Sequence, residues 1–316
     1  MINYASAAGI EIHLSTQLNI TNVEALKFYA KWADVVVLAR ELNLDQVVHI
    51  YKNIRDQNII GPKGDLIKIE MFAHGALCMA ISGKCYLSLH ENNKSANRGE
   101  CYQTCRKSYL ATNMESGYEL DIDNEYIMSP KDLCTIGFLD KMIDAGVRVL
   151  KIEGRARSAE YVKEVSSCYC EALIAIEDGT FNNEKTLVWR TRLSTVFNRG
   201  FWDGYYLGQT MGEWNTNYGS SATKRKVYIG KITNYFTKLN VAEIKLENGD
   251  LKKGDTILIT GPTTGVVEYV TDEIRVDLKV AEKALKGELC SIKIPDYLRR
   301  SDKVYKWVDY EEINPL

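Results

Sequence analysis

The sequence predicts an α/β fold in which a partial (βα) barrel of the TIM type carries a cysteine-rich insertion and is followed by a small antiparallel β-barrel. Three observations predict this arrangement. Strand and helix patterns alternate over the first two thirds of the 316 residues. Four of the eight cysteines fall within residues 74–105. From about residue 224, short β-rich runs separated by turn sequences replace the helices.

The predicted parallel strands are short apolar runs rich in β-branched residues. They lie at 9–15, 33–40, 66–75, 125–129 and 147–154. Segments with helical periodicity separate most of them, at 22–32, 44–54 and 133–146. A longer helix is predicted over 158–179, with Ser158 as its N-cap and Gly179 near its end. This alternation is typical of a parallel sheet covered by helices.

The last third of the chain predicts a second domain made of β-strands. Its runs begin with "KVYIGKITNY" and end with "LCSIKI", and the intervening "ENGDLKKGD" and "GPTTG" have turn chemistry. We therefore predict a partial barrel over residues 1–215, with a cysteine-rich loop at 74–124. Residues 224–297 are predicted as the small β-barrel and residues 298–316 as a C-terminal tail.

Composition indicates a soluble, cytoplasmic protein. No run approaches the roughly 20 apolar residues of a membrane span, and the N-terminus lacks a signal-peptide pattern. The formal net charge of -2 gives no global attraction to nucleic acid, so RNA contact would need a local basic patch. In a reducing cytosol, clustered cysteines are more typical of ligands or catalytic groups than of disulfides.

Polar residues recur where the predicted strands end, which is where a βα-barrel builds its active site. The run "IHLSTQLN" alternates polar side chains from His13 to Asn19, and "IEMFAH" places Glu70, Phe72 and His74 on one face of a strand. Other strand ends supply the residues Arg40, Glu41, Lys131, Asp132, Lys151, Glu153 and Arg155. Each of these, taken alone, could equally be an ordinary solvated or ion-paired loop residue.

The clustered cysteines predict a metal or iron–sulfur site. Six residues separate Cys78 from Cys85, and three separate Cys101 from Cys105. Four thiolates can hold a tetrahedral zinc or an iron–sulfur cluster, and the six-residue gap favours the cluster because zinc pairs are usually tighter. Buried bystander thiols are the third alternative. The remaining cysteines lie on apolar patterns and are predicted as core residues: Cys134, Cys168, Cys170 and Cys290.

A family resemblance rests on "EMFAHGALCMAISGKCYLS", which resembles the signature of the collagenase-like peptidases, the unassigned peptidase family thirty-two. Matching segments extend over residues 10–208 and include "GECYQTCRKSY", "LKIEGRARS" and "NRGFWDGYYLG". The segment "LKKGDTILITGPTTG" resembles the β-barrel extension of that family, which is itself similar to an elongation-factor β-barrel domain. The resemblance covers nearly the whole chain.

The resemblance implies an RNA-modifying enzyme. Some family members use prephenate and an iron–sulfur cluster to hydroxylate a wobble uridine in tRNA or a cytidine in ribosomal RNA, and this sequence is most similar to the tRNA branch. On that basis the 4Fe-4S ligands are Cys78, Cys85, Cys101 and Cys105. The alternatives are a collagenase-like protease and a non-catalytic RNA-binding scaffold with a structural metal such as Zn.

Chemistry assigns the remaining roles, given prephenate as a substrate with two carboxylates. The candidate substrate-binding residues are Gln17, Arg40, Lys131, Lys151 and Arg155. The candidate acid–base groups are Glu70, His74 and Glu153. The candidate phosphate contacts to tRNA or rRNA are Lys94, Arg98, Arg106 and Lys107, which could instead form a solvated basic loop.

Proteolysis has less support from the sequence. The chain has four histidines to serve as a base, and neither Gly-x-Ser-x-Gly nor His-Glu-x-x-His occurs. Four thiolates around one metal would leave no open position for a catalytic water. The protease therefore stays the second candidate.

Five predicted parallel strands are too few for a closed barrel of eight. The resemblance agrees, because the opening strands of family members have no counterpart in this sequence. We therefore expect an N-terminally truncated chain, with the strand at 9–15 at an open sheet edge. We also expect aggregation or poor stability, and little activity until the missing residues are restored.

Overall fold

The structure is a computed structural model in which the chain divides into two compact units. The described residues are 1–81, 84–109, 111–112, 114–116, 119–120, 128–155, 157–209, 212–216 and 219–310. Most of the strand predicted at 125–129 lies outside them. The first unit comprises Met1–Arg155, Val165–Thr191 and Asn198–Ser221. The second comprises Ala156–Glu164, Arg192–Phe197 and Ala222–Leu316.

The strands of the first unit are mostly short. They are β1 (His13–Leu14), β2 (Val35–Val37), β3 (Lys68–Gly75), β4 (Ala111–Thr112), β5 (Glu119–Leu120), β6 (Asp132–Cys134), β7 (Val147–Ile152) and β8 (Phe201–Trp202). The strands β1, β2, β3 and β7 run parallel in that spatial order. The end of β3 pairs with β6 in the antiparallel direction, and β8 extends the sheet parallel to β6. A separate antiparallel pair is formed by β4 and β5.

Four of the seven helices among the described residues correspond to segments predicted from apolar periodicity. The seven helices are α1 (Ile2–Ala7), α2 (Val23–Ala30), α3 (Leu44–Asp56), α4 (Leu87–Asn92), α5 (Leu139–Asp144), α6 (Ala159–Glu177) and α7 (Asn183–Thr195). A capping box between Asn43 and Gln46 starts α3, and its buried stripe is Val47, Ile50 and Ile54. No helix within the described ranges combines the length and the hydropathy needed to cross a bilayer.

The mixed α/β architecture is confirmed, whereas a closed barrel is not observed among the described residues. There β1 pairs with β2 alone, so the predicted edge position of this strand is confirmed. The helix predicted over 133–146 is shorter than expected. Its first residues form β6 because Leu133 and Cys134 pair with the end of β3, and α5 starts only at Leu139.

The second unit is built on an eight-stranded antiparallel sheet. The strands of the unit, including two outside the large sheet, are β9 (Lys224–Phe236), β10 (Val241–Leu246), β11 (Asp250–Lys252), β12 (Thr256–Gly261), β13 (Gly265–Val270), β14 (Ile274–Val276), β15 (Lys279–Ala281), β16 (Lys283–Leu285), β17 (Leu289–Lys293) and β18 (Lys303–Asp309). The order of the large sheet is β13-β12-β18-β9-β10-β17-β14-β15, and β11 pairs with β16. Isoleucines such as Ile229, Ile244 and Ile257 fill its core.

The predicted C-terminal tail differs from the structure. Residues 303–309 form β18, which lies between β12 and β9 and pairs with both. Val304 on this strand is fully buried in the core of the sheet. The β-domain therefore extends beyond residue 297, and its predicted antiparallel character is confirmed.

Gly146 offers a test of packing in the first unit. Its φ is +100°, and an added Cβ would lie 2.1 Å from Cγ of Tyr51. Because strain and overlap add, we expect Gly146→Ala to lower the free energy of unfolding by about 3 kcal/mol. The matched control is Gly179→Ala, where φ is +67° and nothing lies within 4 Å, with an expected cost of about 1 kcal/mol. Equal losses in urea unfolding would contradict the packing argument.

Candidate functional site

A buried carboxylate lies at the centre of a small polar cluster on the parallel strands. Glu70 is 6% exposed. One of its oxygens is 3.0 Å from Nδ1 of His13, and the other is 3.5 Å from Nζ of Lys151. The second ring nitrogen of His13 lies 3.5 Å from Glu11. Three parallel strands thus bring a carboxylate, an imidazole and an ammonium into one contact group.

Two cations flank an aromatic ring beside this cluster. Phe72 lies directly opposite Lys151 in the sheet register. The ring centre of Phe72 is 5.4 Å from Nζ of Lys151 and 5.4 Å from Cζ of Arg40. Arg40 is itself buried, at 7% exposure. Cations at this distance from a ring face are held by cation–π attraction. The structure therefore brings together three of the predicted residues, Arg40, Glu70 and Lys151.

His74 does not share the face of Glu70 and Phe72, so that prediction is wrong. The register between β3 and β7 shifts between Phe72 and His74, and the shift pairs His74 with Ile152. One extra residue in a strand sends the following side chains to the opposite face. His74 is buried, and its Nδ1 lies 3.5 Å from the hydroxyl of Tyr169.

The four clustered thiols are free and lie in or beside short elements that follow β3. Cys78 and Cys101 are exposed, and Cys85 and Cys105 are half-buried. Burial raises the pKa of the Cys105 thiol, Arg106 lowers it, and Cys78, Cys101 and Cys85 raise it further. The other three thiols therefore lie within electrostatic reach of Cys105. Within the described ranges, which omit residues 82 and 83, no three His, Cys, Asp or Glu side chains converge closely enough to share an ion.

Arg106 ties the two halves of the cysteine-rich loop together. Its guanidinium donates to the Leu77 carbonyl at 2.7 Å, to Oγ of Ser129 at 3.0 Å and to the Pro130 carbonyl. Leu77 precedes Cys78, and Arg106 follows Cys105. Burial and then the charge of Arg199 lower the pKa of this guanidinium. These contacts hold Arg106 inside the protein and differ from its predicted role as a phosphate contact.

Two further arginines hold the same loop. Arg199 donates to Oε1 of Gln103 at 3.2 Å, and its other terminal nitrogen lies 3.4 Å from Oδ1 of the buried Asp132. Gln103 has φ +54° and lies midway between Cys101 and Cys105. Arg155 donates to the Gly99 carbonyl. The cysteine-rich loop therefore depends on side chains from outside its own sequence for much of its shape.

The other predicted site residues are Glu153, Lys131 and Gln17. Oε1 of Glu153 accepts a hydrogen bond from the Arg155 backbone, and Lys131 pairs with Glu213 at 2.7 Å. Gln17 is exposed in a short 3-10 helix.

The predicted phosphate contacts other than Arg106 lie on the surface of the cysteine-rich loop. Lys94 pairs with Glu100, and Lys107 pairs with Glu91. Arg98 is exposed. These side chains could meet an anion, but two of them would first leave an acidic partner.

The sequence placed His13, Phe72 and Asp132 at strand ends without assigning them a role, and it did not single out Arg199. His13 had a usable signal, because it starts the alternating polar run that follows the first strand. Arg199 lies in "NRGFWDGYYLG", where glycines and aromatics hide any periodicity. Cys170 is exposed, so its prediction as a core residue is wrong. The same prediction is confirmed for Cys134, Cys168 and Cys290.

A cavity of about 550 Å³ lies elsewhere in the first unit, where α2 and α3 begin. Asn22, Asn43 and His49 are among its lining residues, and none of the predicted site residues borders it. Acid–base chemistry needs titratable groups in mutual contact, so we place the candidate site at Glu70 rather than in this cavity.

Comparison with known proteins identifies the family. Residues 1–216 match the family model described as Peptidase family U32. A collagenase of Porphyromonas gingivalis is 60% identical over 309 residues, covering 98% of this chain and 75% of the relative. A tRNA hydroxylation protein of Bacillus subtilis is 32% identical over 290 residues, covering 89% of this chain and 66% of the relative. The chain belongs to peptidase family U32.

A third relative links the family to ribosomal RNA. A 23S rRNA 5-hydroxycytidine synthase of Escherichia coli is 36% identical over 211 residues, which cover 65% of this chain and 30% of that protein. The family therefore includes proteins named for RNA hydroxylation and proteins named as collagenases.

The contacts of the Arg106 guanidinium can be tested directly. Because lysine keeps the charge but cannot reach three acceptors, we expect Arg106→Lys to speed maleimide labelling of Cys105 by about tenfold or more. Lys107→Ala, which removes only the surface pair with Glu91, should leave the rate unchanged. Labelling is followed by peptide mass spectrometry under reducing conditions. Equal rates for the two variants would show that Arg106 does not hold the loop.

Proposed function

We propose that this protein is a cytoplasmic RNA-modifying enzyme that hydroxylates a tRNA wobble uridine, or a 23S rRNA cytidine, with prephenate as co-substrate and a 4Fe-4S cluster as cofactor. The observation that carries the proposal is the arrangement along β3. The middle of this strand holds Glu70 and Phe72, and its end leads within three residues to Cys78. Relatives named for tRNA and rRNA hydroxylation support the choice of RNA.

The surroundings of Phe72 suit a cyclic dicarboxylate. Prephenate carries a six-membered ring and two carboxylates. Arg40 and Lys151 lie on the ring of Phe72 and supply two positive charges, of which the guanidinium can bind a carboxylate through two hydrogen bonds. The buried ring of Phe72 holds these two cations in place by cation–π attraction. Gln17, Lys131 and Arg155 are secondary candidates, since Lys131 pairs with Glu213 and Arg155 donates to the Gly99 carbonyl.

The contact between His13 and Glu70 provides the acid–base chemistry of the proposal. A proton can be held between Nδ1 of His13 and Oε2 of Glu70, which are 3.0 Å apart. The ammonium of Lys151 lies 3.5 Å from the other oxygen of Glu70. Glu70 is buried and His13 is exposed, so the pair lies between the interior and the solvent. His74 and Glu153 have other contacts and are weaker candidates for the same role.

The four thiols fit an iron–sulfur cluster by donor type, because such clusters are held by four cysteine thiolates. Cys78, Cys85, Cys101 and Cys105 would hold it, and the bound cluster would supply electron transfer. Arg106 lies next to Cys105 and has the effect of stabilising its thiolate. A structural Zn on the same thiols is the alternative, which would suit a non-catalytic RNA-binding scaffold.

Proteolysis is the second candidate, because the relative that is 60% identical is named a collagenase. A serine or cysteine protease needs a base in hydrogen-bond reach of its nucleophile. Within the described part of the chain, His13 contacts Glu11 and Glu70, and both partners are carboxylates rather than hydroxyls or thiols. This contact pattern favours proton transfer on a bound substrate over activation of a nucleophile.

The cofactor proposal predicts a coloured protein. Protein purified without oxygen should be brown and hold about four iron and four sulfide ions per chain. Cys78→Ala should remove the colour and most of the iron, since one cluster ligand is lost. Cys170→Ala removes an exposed thiol on α6 and should keep both. Colourless protein with one zinc per chain would contradict the cluster.

The activity proposal predicts a change in cellular RNA. RNA from cells that lack this gene should lose one hydroxyl from a tRNA or rRNA base, as seen by nucleoside mass spectrometry, and blocked prephenate synthesis should do the same. A gene with Glu70→Gln should restore less than about one hundredth of the wild-type rate, because acid–base groups contribute about 10²–10⁴-fold. Glu11→Gln, which alters the exposed partner of His13, should restore it.

The same strains separate the two candidate functions. Unchanged RNA, together with peptide cleavage that is lost in Glu70→Gln, would replace the hydroxylase with the protease. Unchanged RNA without peptide cleavage would leave the scaffold with a structural metal.

A further inference from the structure

Three lysines lie side by side on the sheet of the second unit. Lys303 on β18 is directly opposite Lys231 on β9, and Lys231 is directly opposite Lys245 on β10. Their neighbours Val304, Ile232 and Leu246 are buried in the core. Because side chains alternate along a strand, all three lysines point away from that core. We name Lys231, Lys245 and Lys303 the lysine row.

The lysine row costs the sheet stability. Adjacent strands are about 4.8 Å apart, and like charges placed directly opposite each other repel. Glu247 offsets part of the repulsion, since it lies 2.7 Å from Nζ of Lys231. Lys245 donates to the Gly287 carbonyl, which carries no charge, and Lys303 is exposed. Among the described residues, Glu247 is the carboxylate that forms an ion pair with the row, so the row keeps an excess of positive charge.

The distribution of charge along the chain strengthens this excess. Residues 222–316 contain 17 Lys and Arg against 15 Asp and Glu, a formal net charge of +2. Residues 1–221 contain 23 against 27, a formal net charge of -4. The overall value of -2 therefore hides a basic β-domain. Such a domain attracts polyanions although the whole chain is slightly acidic.

Two tyrosines continue the same outer face next to the lysine row. Tyr228 and Tyr305 are directly opposite each other. Tyr305 is two residues after Lys303 on β18, and Tyr228 is three residues before Lys231 on β9, where a register shift adds one residue. Their ring centres are 5.6 Å apart in an edge-to-face arrangement. The hydroxyl of Tyr228 donates to Oε2 of Glu247 at 2.6 Å, and this contact raises the pKa of Tyr228 to about 12. Positive charges and aromatic rings thus share one surface.

We propose that the lysine row binds the phosphate backbone of an RNA strand, with Tyr228 and Tyr305 contacting the adjacent ribose or base. Lysines neutralise phosphates and release their counterions, and aromatic rings beside them stack with bases of any sequence. The choice of RNA among polyanions rests on the proposed function. The basic surface itself is a feature of the structure and does not depend on that function. Glu247 acts against binding, because it already neutralises Lys231 in the free protein.

The main test measures how salt weakens RNA binding. A fluorescein-labelled tRNA transcript is titrated with the full chain at several KCl concentrations, and binding is followed by fluorescence anisotropy. Replacing all three lysines of the row with Gln should lower affinity by at least about tenfold and reduce the log–log salt slope by about 2 to 3. Lys238, Lys253 and Lys279 are exposed in the same unit, and their replacement by Gln is the charge-matched control. This control should leave the slope unchanged.

A second variant tests the role of Glu247 by a gain of affinity. Glu247→Gln frees Lys231 for phosphate, so tRNA affinity should rise about threefold or more and the salt slope should grow by about 1. A structural defect would not improve binding. Thermal unfolding of each variant checks that the β-domain is folded.

Other outcomes would overturn the inference. One is equal loss of tRNA affinity in the row variant and the control variant. Another is binding of the wild type to phosphatidylserine vesicles without binding to tRNA. The proposed function is tested separately. If it is correct, cells carrying Cys101→Ala should lose RNA hydroxylation, even if the row variant binds tRNA normally.

Discussion

The pairing of β3 is the constraint on which the first unit depends. Within the described part of the chain, β3 alone has three partners: β2 and β7 along its body and β6 at its end. A single slip in its register would move Glu70 away from His13 and Lys151 and would displace the entry to the cysteine-rich loop. The irregular register near Phe72 lets one strand serve two environments. Phe72 lies among cations, and His74 packs in the core beside Tyr169.

Arginine side chains, rather than regular secondary structure, connect the cysteine-rich loop to the sheet. Short 3-10 turns and a six-residue helix provide few backbone hydrogen bonds of their own. A guanidinium has five donors in a fixed plane, so one side chain can satisfy carbonyls from several segments at once. Arg106, Arg155 and Arg199 use this property on Leu77, Gly99 and Gln103. The loop can therefore keep its thiols near the surface while its backbone stays anchored.

Local patterns explain which features could be predicted from the sequence. Asn43 and the apolar spacing that follows it define α3, and the spacing of the four thiols marks their neighbourhood. Positions two apart on a helix point about 200° away from each other, so Cys168 and Cys170 could not both face the core. The bulge in β3 and the contacts of Arg199 depend on residues more than 60 positions away in the sequence. A local sequence pattern cannot predict them. Likewise β18 carries Lys and Tyr at half-buried positions, so it lacks a clear apolar pattern and was predicted as a tail.

The lysine row makes folding and ligand binding respond to salt in opposite directions. Added salt screens the repulsion among the three ammonium groups, so the free β-domain gains stability as ionic strength rises. The same ions compete for the surface and weaken any polyanion bound there. A bound polyanion would in turn replace the screening ions and stabilise the sheet through thermodynamic linkage. The domain is therefore least stable in dilute buffer without a ligand, which are the conditions commonly chosen for purified proteins.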